Sequence, residues 1–172
     1  PGTAASAAKT GATLALALGG LLAGAPWAIT LGLALGALGD FCLTRRSETA
    51  FLAGMAAFAG GHLAYALWMF TPDHAARVLW ALPMVALALS TEFWLLPRTG
   101  ALKAPVRGYV WIITAMAAAA MTLPGALWPA MLGAGLFVVS DLLLSLRLFV
   151  AQDKPTQRRL SRLLWPAYWL GQ

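Results

Sequence analysis

Charge is scarce in this sequence. Only 10% of its 172 residues are Asp, Glu, Lys or Arg, and six residues are acidic. Soluble domains carry roughly a quarter charged residues, so an ordinary solvated globular domain is excluded. Cysteine is nearly absent too. Cys42 stands alone, which rules out an intrachain disulfide and leaves the redox compartment open. Histidine is limited to His62 and His74, too few for the common three-ligand, histidine-rich zinc centre. Alternation of apolar and polar residues never persists, so no strand pattern competes with helix.

Long apolar runs fill the space that charge leaves. Hydrophobic residues make up 60% of the chain, and seven apolar segments lie near 8–24, 26–44, 51–70, 75–96, 106–123, 126–149 and 160–172. Most reach the ~20 residues that a helix needs to cross ~30 Å of hydrocarbon. The breaks are turn chemistry or charge: "GAP", "TRRSET", "TPDH", "LPRTGALKAP", "LPGAL" and "QDKPTQRR". The expected fold is an all-α polytopic membrane bundle, a single domain over 1–172 with seven transmembrane helices. The chain starts at Pro1 without a methionine and stops inside the apolar stretch "WPAYWLGQ". Both ends read as cut, with further elements expected beyond them. The first segment also mimics a secretory signal, since Lys9 precedes an apolar stretch and "AGA" at 23–25 resembles a cleavage site. Pro26 after the cut opposes cleavage, which favours a membrane helix.

The basic residues set an orientation. Alternate loops put Lys9, Arg45, Arg46, Arg98, Lys103, Arg107, Arg147, Lys154, Arg158, Arg159 and Arg162 on one side, and Arg77 alone on the other. That bias makes the basic side cytoplasmic, in a multi-pass protein of the bacterial inner membrane. The net charge of +6 therefore points to anionic membrane lipid and not to nucleic acid.

A carboxylate at mid-helix costs ~2.5–3.5 kcal/mol on insertion scales, so buried polar residues ask for a reason. Asp40 shares a face with Gly32 and Gly36, a small-residue stripe suited to close helix packing. For Asp40 an interhelical hydrogen bond or a snorkelling pair with Arg45 stands beside a functional role. His62 and Tyr65 in "HLAY" point the same way as Met55, Phe58 and Met69. A buried histidine satisfied by a neighbouring helix is the structural alternative there. Asp141 shares a face with Phe137 and Ser145, has Ser140 beside it, and has Arg147 as a candidate structural partner. Tyr168 and Gln172 face one way, four residues apart. Glu92, beside Arg98, can snorkel; Asp73, His74 and Asp153 read as loop groups. Two carboxylates in one low-dielectric chamber tend to hold separated pKa values, one protonated and one ionised, which suits acid–base hydrolysis.

"LGD" at 38–40, "FLAGMAAFAGGHLAY" at 51–65, "GAGLFVVSDLLLSLRLF" at 133–149 and "YWLGQ" at 168–172 together resemble the YhhN family, which includes the lysoplasmalogenases. The ordered motifs are a Gly-Asp at a helix end, Phe-x-x-Gly-x-x-x-Phe, His-x-x-Tyr, a Ser-Asp helix and Tyr-x-x-x-Gln. Lys9 also matches, although the family often has proline where this chain has Thr10. The resemblance covers nearly the whole chain and implies eight transmembrane helices in the full protein. It also implies hydrolysis of the vinyl-ether bond of a lysophospholipid substrate, releasing a fatty aldehyde and a glycerophospho-base. Asp40, Asp141 and His62 are then the expected catalytic residues, and Tyr65, Ser140, Tyr168 and Gln172 the expected substrate contacts, with basic residues near the phosphate. No metal or other cofactor is expected, although an Asp40/His62/Asp141 metal site stays open. Ser140 lacks the Gly-x-Ser-x-Gly turn of a serine nucleophile. Two rival classes remain: a small proton- or cation-coupled transporter using the buried Asp and His groups, and an assembly subunit in which they only join helices.

Overall fold

The computed structural model describes residues 3–45 and 47–172, with the side chains at 3–6, 75 and 76 set aside. Pro1 and Arg46, which entered the expectations above, lie outside the described residues. Seven α-helices and no strand occur among the described residues. The chain divides into two compact units, Pro1–Met69 and Phe70–Gln172.

The first unit holds α1 (Thr3–Leu22), α2 (Trp27–Leu43) and α3 (Glu48–Met69). Gly24, at φ +71°, turns the chain between α1 and α2 in a conformation that favours glycine. The expected small-residue stripe is real, since Gly32, Gly36 and Asp40 are all buried on α2. Its physical content is close approach of α3. A Cβ at position 32 would lie 2.2 Å from Cε1 of Tyr65, and one at position 39 would lie 2.6 Å from the Phe58 ring. Glycine at these points admits two aromatic rings, and the rings set the separation of the helices.

The second unit holds α4 (Leu82–Trp94), α5 (Lys103–Met121), α6 (Trp128–Ser145) and α7 (Lys154–Gly171). The "TPDH" break is a 3₁₀ segment, Pro72–Ala81, and not an open loop. Within it His74 departs from helical geometry, at φ −116° and ψ 20°, and Pro83 stands in the first turn of α4, where its missing N–H costs little. A single π-helical turn, Leu146–Val150, extends α6, closed by the Ala151 N–H donating to the Leu146 carbonyl at 2.8 Å. Between α6 and α7 the backbones nearly touch. A Cβ on Gly133 would sit 2.9 Å from the Gly171 carbonyl oxygen.

The last helix differs from its expected extent. The sequence reading takes "QDKPTQRR" as a break before an apolar segment at 160, but α7 begins at Lys154 and carries Arg158, Arg159 and Arg162 on its first turns. The reason is capping. The Asp153 carboxylate accepts a hydrogen bond from the Thr156 N–H at 2.7 Å, and Pro155 occupies the first turn, where its missing N–H costs nothing. That backbone hydrogen bond holds the Asp153 carboxyl below its ordinary value of 3.8. The folded pKa is thus depressed, so the cap contributes fully above the unfolded value and is lost as pH falls through the folded one. Asp153→Ala is expected to speed amide exchange in the first turn of α7 at about pH 6, and to abolish the loss of protection that the wild type shows as pH falls below the ordinary carboxyl value of 3.8.

Four helical stretches are long and apolar enough to cross a membrane: Glu48–Met69, Arg77–Arg98, Gly100–Met121 and Gly125–Val150. The apolar stretches Ala7–Leu22 and Trp27–Leu43 are shorter. The chain is an all-helical membrane protein.

Candidate functional site

In each unit a carboxylate among apolar helices accepts a hydrogen bond from a hydroxyl on a neighbouring helix. In the first unit, Thr13 on α1 donates its Oγ1 hydrogen bond to Asp40 Oδ2 on α2 at 2.9 Å, and Thr13 is fully buried with Asp40 at 6% exposure. This bond ties α1 to α2. An interhelical bond of the kind expected for Asp40 exists, and one partner is a threonine that the sequence reading passed over. Thr13 is detectable in hindsight as a hydroxyl one turn beyond Lys9 in a run of alanine and leucine.

On α3, His62 is 1% exposed and Tyr65 is 7% exposed. They lie one turn apart on the buried face together with Gly54, Gly61 and Met69. A Cβ at Gly61 would come within 3.1 Å of the Gly32 carbonyl oxygen, so the imidazole follows directly on the tightest backbone approach of α2 and α3. Gly32 leaves the room that the Tyr65 ring occupies.

In the second unit, the Tyr109 hydroxyl on α5 donates to Asp141 Oδ2 on α6 at 2.7 Å. Tyr109 is a second residue that sequence reasoning missed. It is one of only three tyrosines in the chain, and it stands two residues past Arg107 where an apolar span begins. Arg147 had been the candidate partner for Asp141; it lines a basic groove with the start of α7 instead. Beside Asp141 lies a cavity of about 60 Å³ whose walls include Met84, Leu87, Thr91, Tyr109 and Ser145. One water occupies roughly 10–15 Å³ on such a measure, whereas pockets for drug-sized ligands run to roughly 300–1,000 Å³. The cavity is water-sized, not lipid-sized.

Gly133, Phe137 and Asp141 follow at a spacing of four along α6, so one stripe carries the glycine crossing, an aromatic ring and the carboxylate. The Phe137 and Tyr168 rings meet edge to face with centroids 5.6 Å apart. Gln172 Nε2 donates to the Tyr168 hydroxyl oxygen at 3.0 Å, so these two polar groups act as one oriented pair. Ser140 is 1% exposed and its hydroxyl donates to the Phe137 carbonyl at 2.8 Å within α6. Its proton is engaged in the helix, which leaves the oxygen only an acceptor role.

Glu92, expected as a snorkelling group near a helix end, is half-buried and forms an ion pair. Its partner is Arg107 and not Arg98: Arg107 Nε and Nη2 each donate to a Glu92 carboxylate oxygen at 2.7 Å. Arg98 turns to the Trp94 carbonyl. Arg98 stands six residues along and not the three or four that share a face, whereas Arg107 arrives from a neighbouring helix and forms two parallel bonds. Glu92→Gln is expected to reduce the thermal stability of the detergent-solubilised protein, and Arg107→Lys to do so in part, because an ammonium cannot reproduce the fork. Equal stability of all three proteins would show the fork to be idle.

Among the described residues no three His, Cys, Asp or Glu side chains come together as a metal-binding group. No curated protein and no solved structure matches the chain. The model of the YhhN family matches residues 4–172, essentially from end to end, and the chain belongs to the YhhN family.

Proposed function

We propose that this membrane protein is a hydrolase of the lysoplasmalogenase type, adding water across the vinyl-ether bond of a lysoplasmalogen. The observation that carries the reading is Asp141, bonded to the Tyr109 hydroxyl on the wall of a cavity large enough for water among apolar helices.

The hard step is protonation of the carbon one removed from the ether oxygen. The alkene electron pair forms the new C–H bond, and the resulting cation is shared with the oxygen as an oxocarbenium ion. Water then adds to the cationic carbon and gives up a proton, and the hemiacetal breaks its C–O bond to glycerol. One water enters; a fatty aldehyde and a glycerophospho-base leave. A carboxylic acid supplies the first proton, and a carboxylate stabilises the cation and receives the proton of water, as carboxyl pairs do in glycoside hydrolysis. Asp40 and Asp141 take these two parts, assigned by their chemistry. His62 and Tyr65 orient water or the ether oxygen. Tyr168 with Gln172 hydrogen-bonds the substrate, and Ser140 contributes an acceptor.

The alkenyl chain lies along the apolar helix surfaces, because a cavity of about 60 Å³ is too small to hold it. In this reading α1, α2 and α7 also cross the membrane, with the basic residues on the cytoplasmic side of the inner membrane. The test is incubation of the purified protein with a lysoplasmalogen and, separately, with an ester-linked lysolipid. Aldehyde from the first alone supports the reading. Fatty acid from the second redirects it to a lysophospholipase, and no product from either returns the buried Asp and His groups to a transport role.

A further inference from the structure

Where the π turn after α6 meets the first turns of α7, a groove of about 370 Å³ is lined by Arg147, Lys154, Gln157, Arg158, Ser161 and Arg162. Four of these six are cations and none is an acid. Lys154, Arg158 and Arg162 follow at a spacing of four on one face of α7, and Arg147 reaches the groove from the π turn. The polar neighbours are already committed. Gln157 Nε2 donates to the Ala151 carbonyl at 2.9 Å, and Ser161 donates to the Gln157 carbonyl at 2.9 Å. Asp153, the acid nearest in sequence, caps the Thr156 N–H. Among the described residues none of the four cations forms an ion pair or hydrogen bond within the protein.

Like charges gathered around one hollow repel one another, and a bound anion relieves the repulsion. Guanidinium groups match the spacing of phosphate oxygens and add hydrogen bonds to the charge attraction. The groove also sits at the end of the span Gly125–Val150, the level at which that helix leaves hydrocarbon. We propose that this groove binds a phosphate group, carried by an anionic phospholipid or free in solution. The hydrolytic reading names none of these six residues as a substrate contact, and the site does not depend on it.

The experiment uses the full chain in a non-ionic detergent and follows its thermal unfolding against dihexanoyl phosphatidic acid, inorganic phosphate and, as a zwitterionic control, dihexanoyl phosphatidylcholine. Stabilisation by phosphatidic acid is expected, weakened about tenfold in apparent affinity by the double variant Arg158→Gln/Arg162→Gln and unchanged by Arg45→Gln. Stabilisation by the lipid alone assigns the site to a headgroup; an equal response to inorganic phosphate assigns it to the free anion. Both side chains replaced are exposed on α7, so the double variant is expected to keep the wild-type helical content. No stabilisation by either phosphate, or stabilisation undiminished in the double variant, overturns the proposal.

Discussion

Asp141→Asn is expected to lower aldehyde release from a lysoplasmalogen by about 10²–10⁴-fold, the usual contribution of a positioned acid or base. Asparagine keeps an oxygen that can accept the Tyr109 hydrogen bond, so the contact between α5 and α6 survives and the loss reads on chemistry. An amide neither donates an acidic proton nor offsets a positive charge on the reacting carbon. Asp40→Asn is expected to cost a similar factor, with the Thr13 bond likewise retained. Tyr109→Phe leaves the carboxylate in place but removes the hydroxyl that orients it, and a smaller loss of about tenfold is expected. The double variant Asp40→Asn/Asp141→Asn separates joint action from independent roles. Residues that act as a unit are strongly non-additive, so the double variant should be little worse than the more damaging single one. Helical content by circular dichroism accompanies each assay. Full activity in both folded single variants removes the carboxylate mechanism.

Gly32→Ala is the substitution expected to harm the fold most. The added Cβ would lie 2.2 Å from Cε1, 2.6 Å from Cζ and 2.7 Å from Cδ1 of Tyr65, so it meets the flank of a rigid ring and not a flexible tip. Overpacking of this kind costs about 1–3 kcal/mol. Either the helices separate or the ring leaves its place beside His62, and a shift of Tyr65 would reduce activity along with stability. Shrinking the ring should relieve the clash, so Tyr65→Leu in the Gly32→Ala background is expected to recover part of the thermal stability without recovering turnover. Gly19→Ala is the control. Nothing lies within 4 Å of a Cβ at that position, and alanine in an exposed helix interior is expected to be neutral or to stabilise by up to about 1 kcal/mol. If Gly32→Ala melts with the wild type, the close approach of α2 and α3 at that point is not what holds the first unit.

Several features could be read before any coordinates. The run of Ala, Leu and Gly with so little charge specifies helices, and the spacing of Gly32, Gly36 and Asp40 specifies which face of α2 turns inward. His62 and Tyr65 were likewise placed on an inward face by spacing alone, and both are buried. The α7 boundary was also readable, because Asp153 and Pro155 form a helix-start signal that the charge in "KPTQRR" obscured. The four clear spans separate from the shorter apolar stretches only once helix ends are known, since 3₁₀ and π turns lengthen some runs and α7 begins in basic residues.

Partners are a different matter. Periodicity along one helix states which residues share a face, because the 3.6-residue turn is local geometry. It cannot state which side chain of another helix arrives opposite, because that depends on crossing angle and axial register between segments distant in the chain. Thr13 reaches Asp40 across 27 residues and Tyr109 reaches Asp141 across 32. Glu92 takes Arg107 over the nearer Arg98 because a neighbouring helix can present the guanidinium fork side-on. The sequence by itself thus determined a membrane-helical chain of the YhhN family with carboxylates facing inward. Only tertiary packing decided which hydroxyl each carboxylate meets, because side-chain pairing is settled where helices touch.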